Sequence, residues 1–369
     1  MSAAGRRRGR GAAWAGLLLF VAIVLVLIAG AAAALSLDWK TPYARPERGG
    51  VFVDIAHGTS AAAIARQLES SGVIRSAFSF RALLLRHPSA RLEAGEYFFD
   101  RPRTPEEVFD ALAYGKIFLT SVTVPEGYTM FEIAALLESK GITSRDGFLG
   151  AARDPSLIAG LAPGAPSLEG FLFPATYQFP RHQPPRKVAE ALVRRFREAW
   201  QTFPENERGA SGLTPLGLVT LASLVEKETG VAGERPLVAR VFTNRLRAGV
   251  ALDCDPTVIY ALILGGKHDG AGKYDGQLRP ADLRVDSAYN TYRRRGLPPG
   301  PIANPGAASL RAALEPARGD YLYFVATGDG GHVFSRTLKE HNRNVAQYRR
   351  RLAQLAREAA GRAGGKSTP

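Results

Sequence analysis

The apolar pattern is densest near the start of the chain. From Ala13 to Leu35, 23 residues centred on LLLFVAIVLVLIAG, no side chain is charged. At ~1.5 Å per helical residue such a run reaches ~34 Å, enough for a hydrocarbon core of ~30 Å. It predicts a transmembrane helix over 13–35, preceded by a basic tail (1–12) and followed by a linker (36–50). The small residues Ala29 to Ala34 also fit a signal-peptide cleavage region, and either reading exports the body.

After the linker the pattern repeats. VDIAHGTSAAAIARQLESSGV (53–73) aligns without gaps on VTVPEGYTMFEIAALLESKGI (122–142), at an offset of 69. Gly58 matches Gly127, Ile64 matches Ile133, Leu68 matches Leu137 and Gly72 matches Gly141. Each copy reads as a short alternating strand, a glycine turn and a helix opening at Ser60 or Thr129, with Gly72 or Gly141 as its stop. Two copies are too few for a solenoid and predict paired small α+β units.

Proline and glycine punctuate the rest of the chain. LAPGAPSLEGFLFPATYQFP (161–180) suits a cleft wall or a seam, and a helix comes next over 187–203. Thr214-Pro215 opens a helix that runs through LASLVEKE to a stop at Gly230. Glu234-Arg235-Pro236 opens a second, and Asp255-Pro256 a third, with Asp255 as its N-cap. YNTYRRRGLPPGPIANPG (289–306) reads as a loop, and a short helix lies around Ser309 to Leu314. YLYFVAT and HVFSRT are strands of a hairpin turned by Gly328-Asp329-Gly330-Gly331, and a basic amphipathic helix closes the chain.

Charge changes this picture little. The net charge is +14, but four of these charges are Arg6, Arg7, Arg8 and Arg10, and residues 336–366 carry seven more. The remainder is close to neutral, which argues against a nucleic-acid partner. The arginines before the apolar run place the N-terminus in the cytoplasm and the body outside, on a single-pass protein of the cell (inner) membrane. Cys254 is the single cysteine, so no intramolecular disulfide forms.

Candidate chemistry centres on Glu226, Lys227 and Glu228. At about 100° per residue, Leu221, Leu224 and Val225 fall within about 60° of Glu228, and Glu226 lies about 160° away. Periodicity therefore turns Glu228 towards the core and Glu226 towards solvent. A carboxylate on a buried face is paired, hydrogen-bonded or protonated, and desolvation raises its pKa as a general acid requires. The competing reading is a Glu bridged to Arg235 or Arg240. Glu234, Asp253 and Asp255 are the candidates for a second carboxylate, none compelling. HExxH, GxSxG and SxxK are absent, which leaves zinc and serine chemistry without their marks.

LASLVEKETG, ERPLVARVFTNRL, DPTVIYAL, AYNTY, GLPPGPIANPG and YLYFVATGDGGHVFSRTLKEHN, in this order, resemble the MltG-type (YceG-like) endolytic murein transglycosylases. EGYT and LEGFLFPATYQF upstream extend the likeness to about Val51–Tyr348. The resemblance implies an α+β architecture: the transmembrane helix, a LysM-like module (51–120), a second lobe (121–205) and a mixed α+β catalytic domain (206–355), then a flexible tail (356–369). It implies that the second Glu of EKE, Glu228, is catalytic, and that no partner carboxylate is needed because the C6 hydroxyl of MurNAc is the nucleophile. Tyr289, Asn290, Thr291 and Tyr292 then form a sugar-positioning loop, and Arg235, Asn244 and His332 orient Glu228 or the glycan. The expected partners are peptidoglycan glycan strands, the membrane and peptidoglycan synthases; no cofactor or metal is expected. Asp253-Cys254 departs from the family pattern, where Gln and a small polar residue are common. A non-catalytic wall-binding anchor that recruits synthases and a two-carboxylate muramidase are the competing functions.

Overall fold

The computed structural model describes residues 5–43, 49–267, 274 and 277–364. They form two compact units, divided between Leu119 and Thr120. Helix and strand are mixed in both, so the protein is α+β.

In the first unit, α1 (Gly5–Lys40) contains a stretch, Trp14–Lys40, long and apolar enough to cross a membrane. The first four residues of the expected basic tail lie outside the described residues, as do 44–48 of the expected linker. The linker begins as helix, and Trp39 within it is buried, its indole N–H donating to Ser79 O at 2.9 Å. β1 (Val51–Ile55), α2 (Ala61–Ser70), α3 (Ala77–Leu85) and β2 (Gly95–Phe99) come next, with β1 and β2 antiparallel (Val51 opposite Phe99). Alternation puts Val53 and Ile55 inside, against Ile64 and Leu68 of α2 and Phe80 of α3. Ser60 caps α2 by accepting from Ala63 N, as its sequence position predicts. Gly72, just past the helix, takes a φ of 75°, which a side chain rarely adopts. α4 (Pro105–Ala113) closes the unit behind a reciprocal Thr104–Glu107 cap.

The second unit opens with the second copy of the repeat: β3 (Thr120–Thr123), α5 (Met130–Ser139), α6 (Arg145–Arg153) and β4 (Thr176–Phe179). β3 and β4 pair antiparallel, so both copies share the order strand–helix–helix–strand. The insertion between α6 and β4 holds the EGFLFP run. α7 (Pro185–Gln201) packs on α6 through Val188, Leu192 and Phe196, and α8 (Glu205–Ala210) comes after it. α9 (Pro215–Glu228) runs through the middle, with α10 (Arg235–Arg247), α11 (Asp255–Leu264) and α12 (Ala307–Leu314) against it. The hairpin β5 (Tyr323–Ala326) and β6 (His332–Ser335) lies under α13 (Leu338–Gly364). Helix therefore continues to Gly364 through residues expected as tail, and 365–369 lie outside the described residues. The second lobe and the proposed catalytic part share one core, from Val122 to Leu314.

Candidate active site

α9 begins where the sequence predicts. Thr214 accepts from Gly217 N at 3.2 Å, and Pro215 takes the first turn, where its missing N–H costs nothing. The helix ends on Glu228, because Thr229 turns extended (φ −139°, ψ 131°), one residue before the expected Gly230 stop. Every residue from Leu218 to Val225 is buried.

That all-round burial overturns the expected exposure of Glu226. Its side chain is only 7% exposed: it accepts from Gly306 N at 3.0 Å and lies 3.5 Å from the Arg235 guanidinium. Helical periodicity locates an outer face only when a helix has one, and from Leu218 to Val225 α9 is covered on every side. Arg235 also reaches Glu126 at 3.8 Å, and Lys227 donates to Gly127 O at 3.2 Å. The bridge to Arg235 that competed for Glu228 is thus made by Glu226.

Glu228 stands apart from those pairs. It is part-exposed at the helix end, yet burial pushes its carboxyl above the ordinary carboxylate range. A hydrogen bond from the Cys254 thiol opposes the rise, the Asp255 carboxylate adds to it, and Arg245 and, when protonated, His332 lower it. These four residues come from the start of α11, the start of β6 and the end of α10, so three elements converge on one carboxyl. Burial also pushes the Cys254 thiol well up, with the Glu228 charge adding to it.

The α10–α11 connection is built to hold this convergence. Arg245 donates to Ala251 O, Leu252 O and Asp253 Oδ2 at 3.0–3.2 Å, and to Leu322 O at 2.7 Å. Asp253 takes a φ of 48°, an uncommon left-handed conformation for a residue with a Cβ. The N-cap of α11 is Cys254, without a side-chain cap bond, so Asp255 is not the cap the sequence suggested. Its Oδ1 accepts instead from the Tyr292 hydroxyl at 2.6 Å.

The YNTY loop is stitched to this rim. Thr291 is buried, and its Oγ1 accepts from Cys254 N at 3.1 Å and meets Thr257 Oγ1 at 2.9 Å. Tyr292 is 37% exposed, with its hydroxyl held on Asp255. Asn290 is wholly buried, with its amide donating to Leu283 O and Val285 O at 3.0 and 2.8 Å. Tyr289 lies half-buried with its ring 5.1 Å from Tyr260, and burial pushes its hydroxyl up to about 12. Asn244 donates to Gly319 O and Tyr321 O, which fastens α10 to the segment leading into β5. The structure therefore brings His332 to Glu228, fastens Tyr292 and Thr291 to Asp255 and Cys254 beside it, and engages Asn290, Asn244 and Arg235 in bonds within the protein.

One buried carboxylate escaped the sequence reading, and another takes a different part from the one considered for it. Glu169, in the EGFLFP run, is 1% exposed and accepts from Met130 N, Asn304 Nδ2 (2.7 Å) and the Tyr260 hydroxyl (3.1 Å). Burial raises it to about 8, against those hydrogen bonds. No periodicity marks its segment, so nothing in the sequence pointed inward. Glu234, a candidate second acid by sequence, bonds His332, 98 residues away. Among the described residues no group of three or more His, Cys, Asp or Glu side chains is placed to hold a metal.

Comparison with known proteins covers this whole arrangement. An endolytic murein transglycosylase of Bacillus subtilis is 33% identical over 325 residues, 83% of this chain and 87% of that protein. One from Streptococcus pneumoniae is 28% identical over 346 residues, 85% of this chain but 61% of its own length. A crystal structure of a YceG-like protein from Listeria monocytogenes aligns with a TM-score of 0.54 and 30% identity, over 80% of this chain and 99% of that one. The profile of the YceG-like family matches residues 53–347, which take in both repeat copies, α9 with Glu228 and the loop that rims it; the chain belongs to that family.

Proposed function

We propose that this protein is an endolytic lytic transglycosylase of peptidoglycan, with Glu228 as acid and then base. One observation carries the reading: a carboxyl that burial raises above the ordinary carboxylate range, as a general acid requires, yet part-exposed at a helix end where three elements meet. In the first step Glu228 gives its proton to the glycosidic oxygen between MurNAc and GlcNAc, and the C1–O bond breaks. The carboxylate then takes the proton of the MurNAc C6 hydroxyl as O6 closes on C1. A 1,6-anhydro end forms, and Glu228 is protonated again without any external proton. Buried surroundings favour the acid in the first step and keep water from C1 in the second.

Tyr292 supplies an aromatic face at the rim, while Asn290, Thr291 and Asn244 act by holding that rim. Arg235 orients the end of α9 through Glu226. The strand–helix–helix–strand order of residues 51–99 supports a LysM-like, glycan-binding module. α1 supports a single-pass anchor with its arginines in the cytoplasm and the body outside the inner membrane. Trp39, packed into the core of the first unit, would keep that module at the membrane, where nascent strands emerge and synthases work. Cutting there would terminate strand elongation.

A second reading has one observation in its favour. Asp255 lies close enough to raise Glu228, so a two-carboxylate hydrolysis is open to the site. The products separate the readings: mass spectrometry of digested glycan strands shows anhydro ends for the transglycosylase and reducing MurNAc ends for hydrolysis. A non-catalytic anchor releases neither.

A further inference from the structure

We propose that Glu234 is a positioning residue for this reaction: it clamps the His332 ring through Nδ1 and so presents Nε2, as a hydrogen-bond acceptor, to a hydroxyl of the glycan beside Glu228. The inference rests on Glu228 being the acid and base of a transglycosylase.

Glu234 ends a 3-10 turn (Ala232–Glu234) directly before α10. Its Oε1 accepts from the backbone N–H of His332 at 2.8 Å, and its Oε2 lies 2.7 Å from His332 Nδ1. The same Oε2 accepts from the Thr229 hydroxyl at 3.3 Å, and Thr229 is the residue after Glu228. One carboxylate thus joins the end of the helix carrying the acid to the first residue of β6. Gly331 leaves it room, since a Cβ there would come within 3.1 Å of Glu234 Oε1.

Burial of Glu234 works against its charge, but the hydrogen bonds from His332 and Thr229 prevail and hold it below the ordinary range. An ionised carboxylate only accepts, so the ring proton sits on Nδ1, and in the neutral ring Nε2 is a bare acceptor. The ring meets Phe324 edge-on at 5.4 Å and 88°, which restricts its turning. Nε2 makes no hydrogen bond among the described residues, and the side chain remains 14% exposed. His332 is also close enough to Glu228 to act on its charge. An acceptor held by Glu234 and Phe324, with one unengaged nitrogen beside a proton donor, suits a hydroxylated ligand, and glycan is one.

The test uses the full chain in detergent micelles with purified glycan strands. In the wild type, the long-range 1H–15N spectrum of His332 should show the Nδ1–H tautomer. In Glu234→Gln the amide NH2 faces Nδ1 and the ring proton should move to Nε2. kcat for anhydro-end formation should then fall by roughly 10- to 100-fold, as for carboxylate–histidine pairs at metal sites, while KM changes far less. His332→Asn keeps an amide nitrogen where Nδ1 was and lacks Nε2, and should show the same fall with an unchanged melting temperature. Either variant within twofold of wild-type kcat, or an Nε2–H ring in the wild type, overturns the proposal. If the wild type forms no anhydro ends, it is the reading of Glu228 that falls. The tautomer shift between the wild type and Glu234→Gln then still decides whether Glu234 sets the ring.

Discussion

Glu169 offers a test of the scaffold that can be worked from its surroundings. Its carboxyl is wholly inside the second unit and sits at about 8 instead of the ordinary 4.5. The folded protein therefore holds this proton more tightly than the unfolded chain does. Its contribution favours folding below pH 4.5 and is lost progressively as pH rises towards 8. Each pH unit in that window costs about 1.4 kcal/mol, or ~5 kcal/mol across it. Glu169→Gln removes the titration while keeping a carbonyl for Met130 N and an NH2 that the Tyr260 hydroxyl can accept. Chemical unfolding monitored through buried Trp200, repeated between pH 5.5 and 7.5, should show the wild type losing ~3 kcal/mol more than the variant. Subtracting the two profiles cancels every other titrating group. Parallel profiles would mean that the hydrogen bonds to Glu169 outweigh its burial, and the assignment of a protonated carboxyl would be wrong.

The same geometry sets further outcomes. Because Glu228 must carry its proton to act, activity should fall as pH rises through its raised value, and Asp255→Asn, which removes a charge that raises it, should move this alkaline limb to lower pH. Cys254→Ala removes a hydrogen bond that lowers Glu228 and should move the limb the other way; equal limbs in both variants would refute the electrostatic account. Asn304→Ala strands Gly170 N, Leu172 N, Tyr128 O and Glu169, all bonded at 2.7–2.9 Å, and should cost about 4 kcal/mol in chemical unfolding. Trp39→Ala should cost ~3–5 kcal/mol in the first unit, read as faster hydrogen exchange over residues 51–119, with the second unit unchanged.

Local signals were legible in the sequence wherever one residue and its near neighbours decide the outcome. Ser60, Thr129 and Thr214 cap their helices as expected, and the GDGG hairpin forms. The repeat proved to be a shared strand–helix–helix–strand order. Long-range partners were not legible. Asp255 looked like a cap because Asp before Pro suits one, but Tyr292, 37 residues on, claims its carboxylate. Glu226 looked exposed because a wheel assumes a solvent side, and α9 is closed in by partners the wheel does not contain. Glu169 and Glu234 acquire their meaning from contacts up to 135 and 98 residues away, which no window along the chain can hold.

The central claim is that Glu228 moves the proton. Glu228→Gln keeps the side chain's size and removes its acid, so purified glycan strands incubated with the variant should yield no 1,6-anhydro ends by mass spectrometry, where the wild type yields them. Anhydro ends formed by the variant at the wild-type rate would contradict the account.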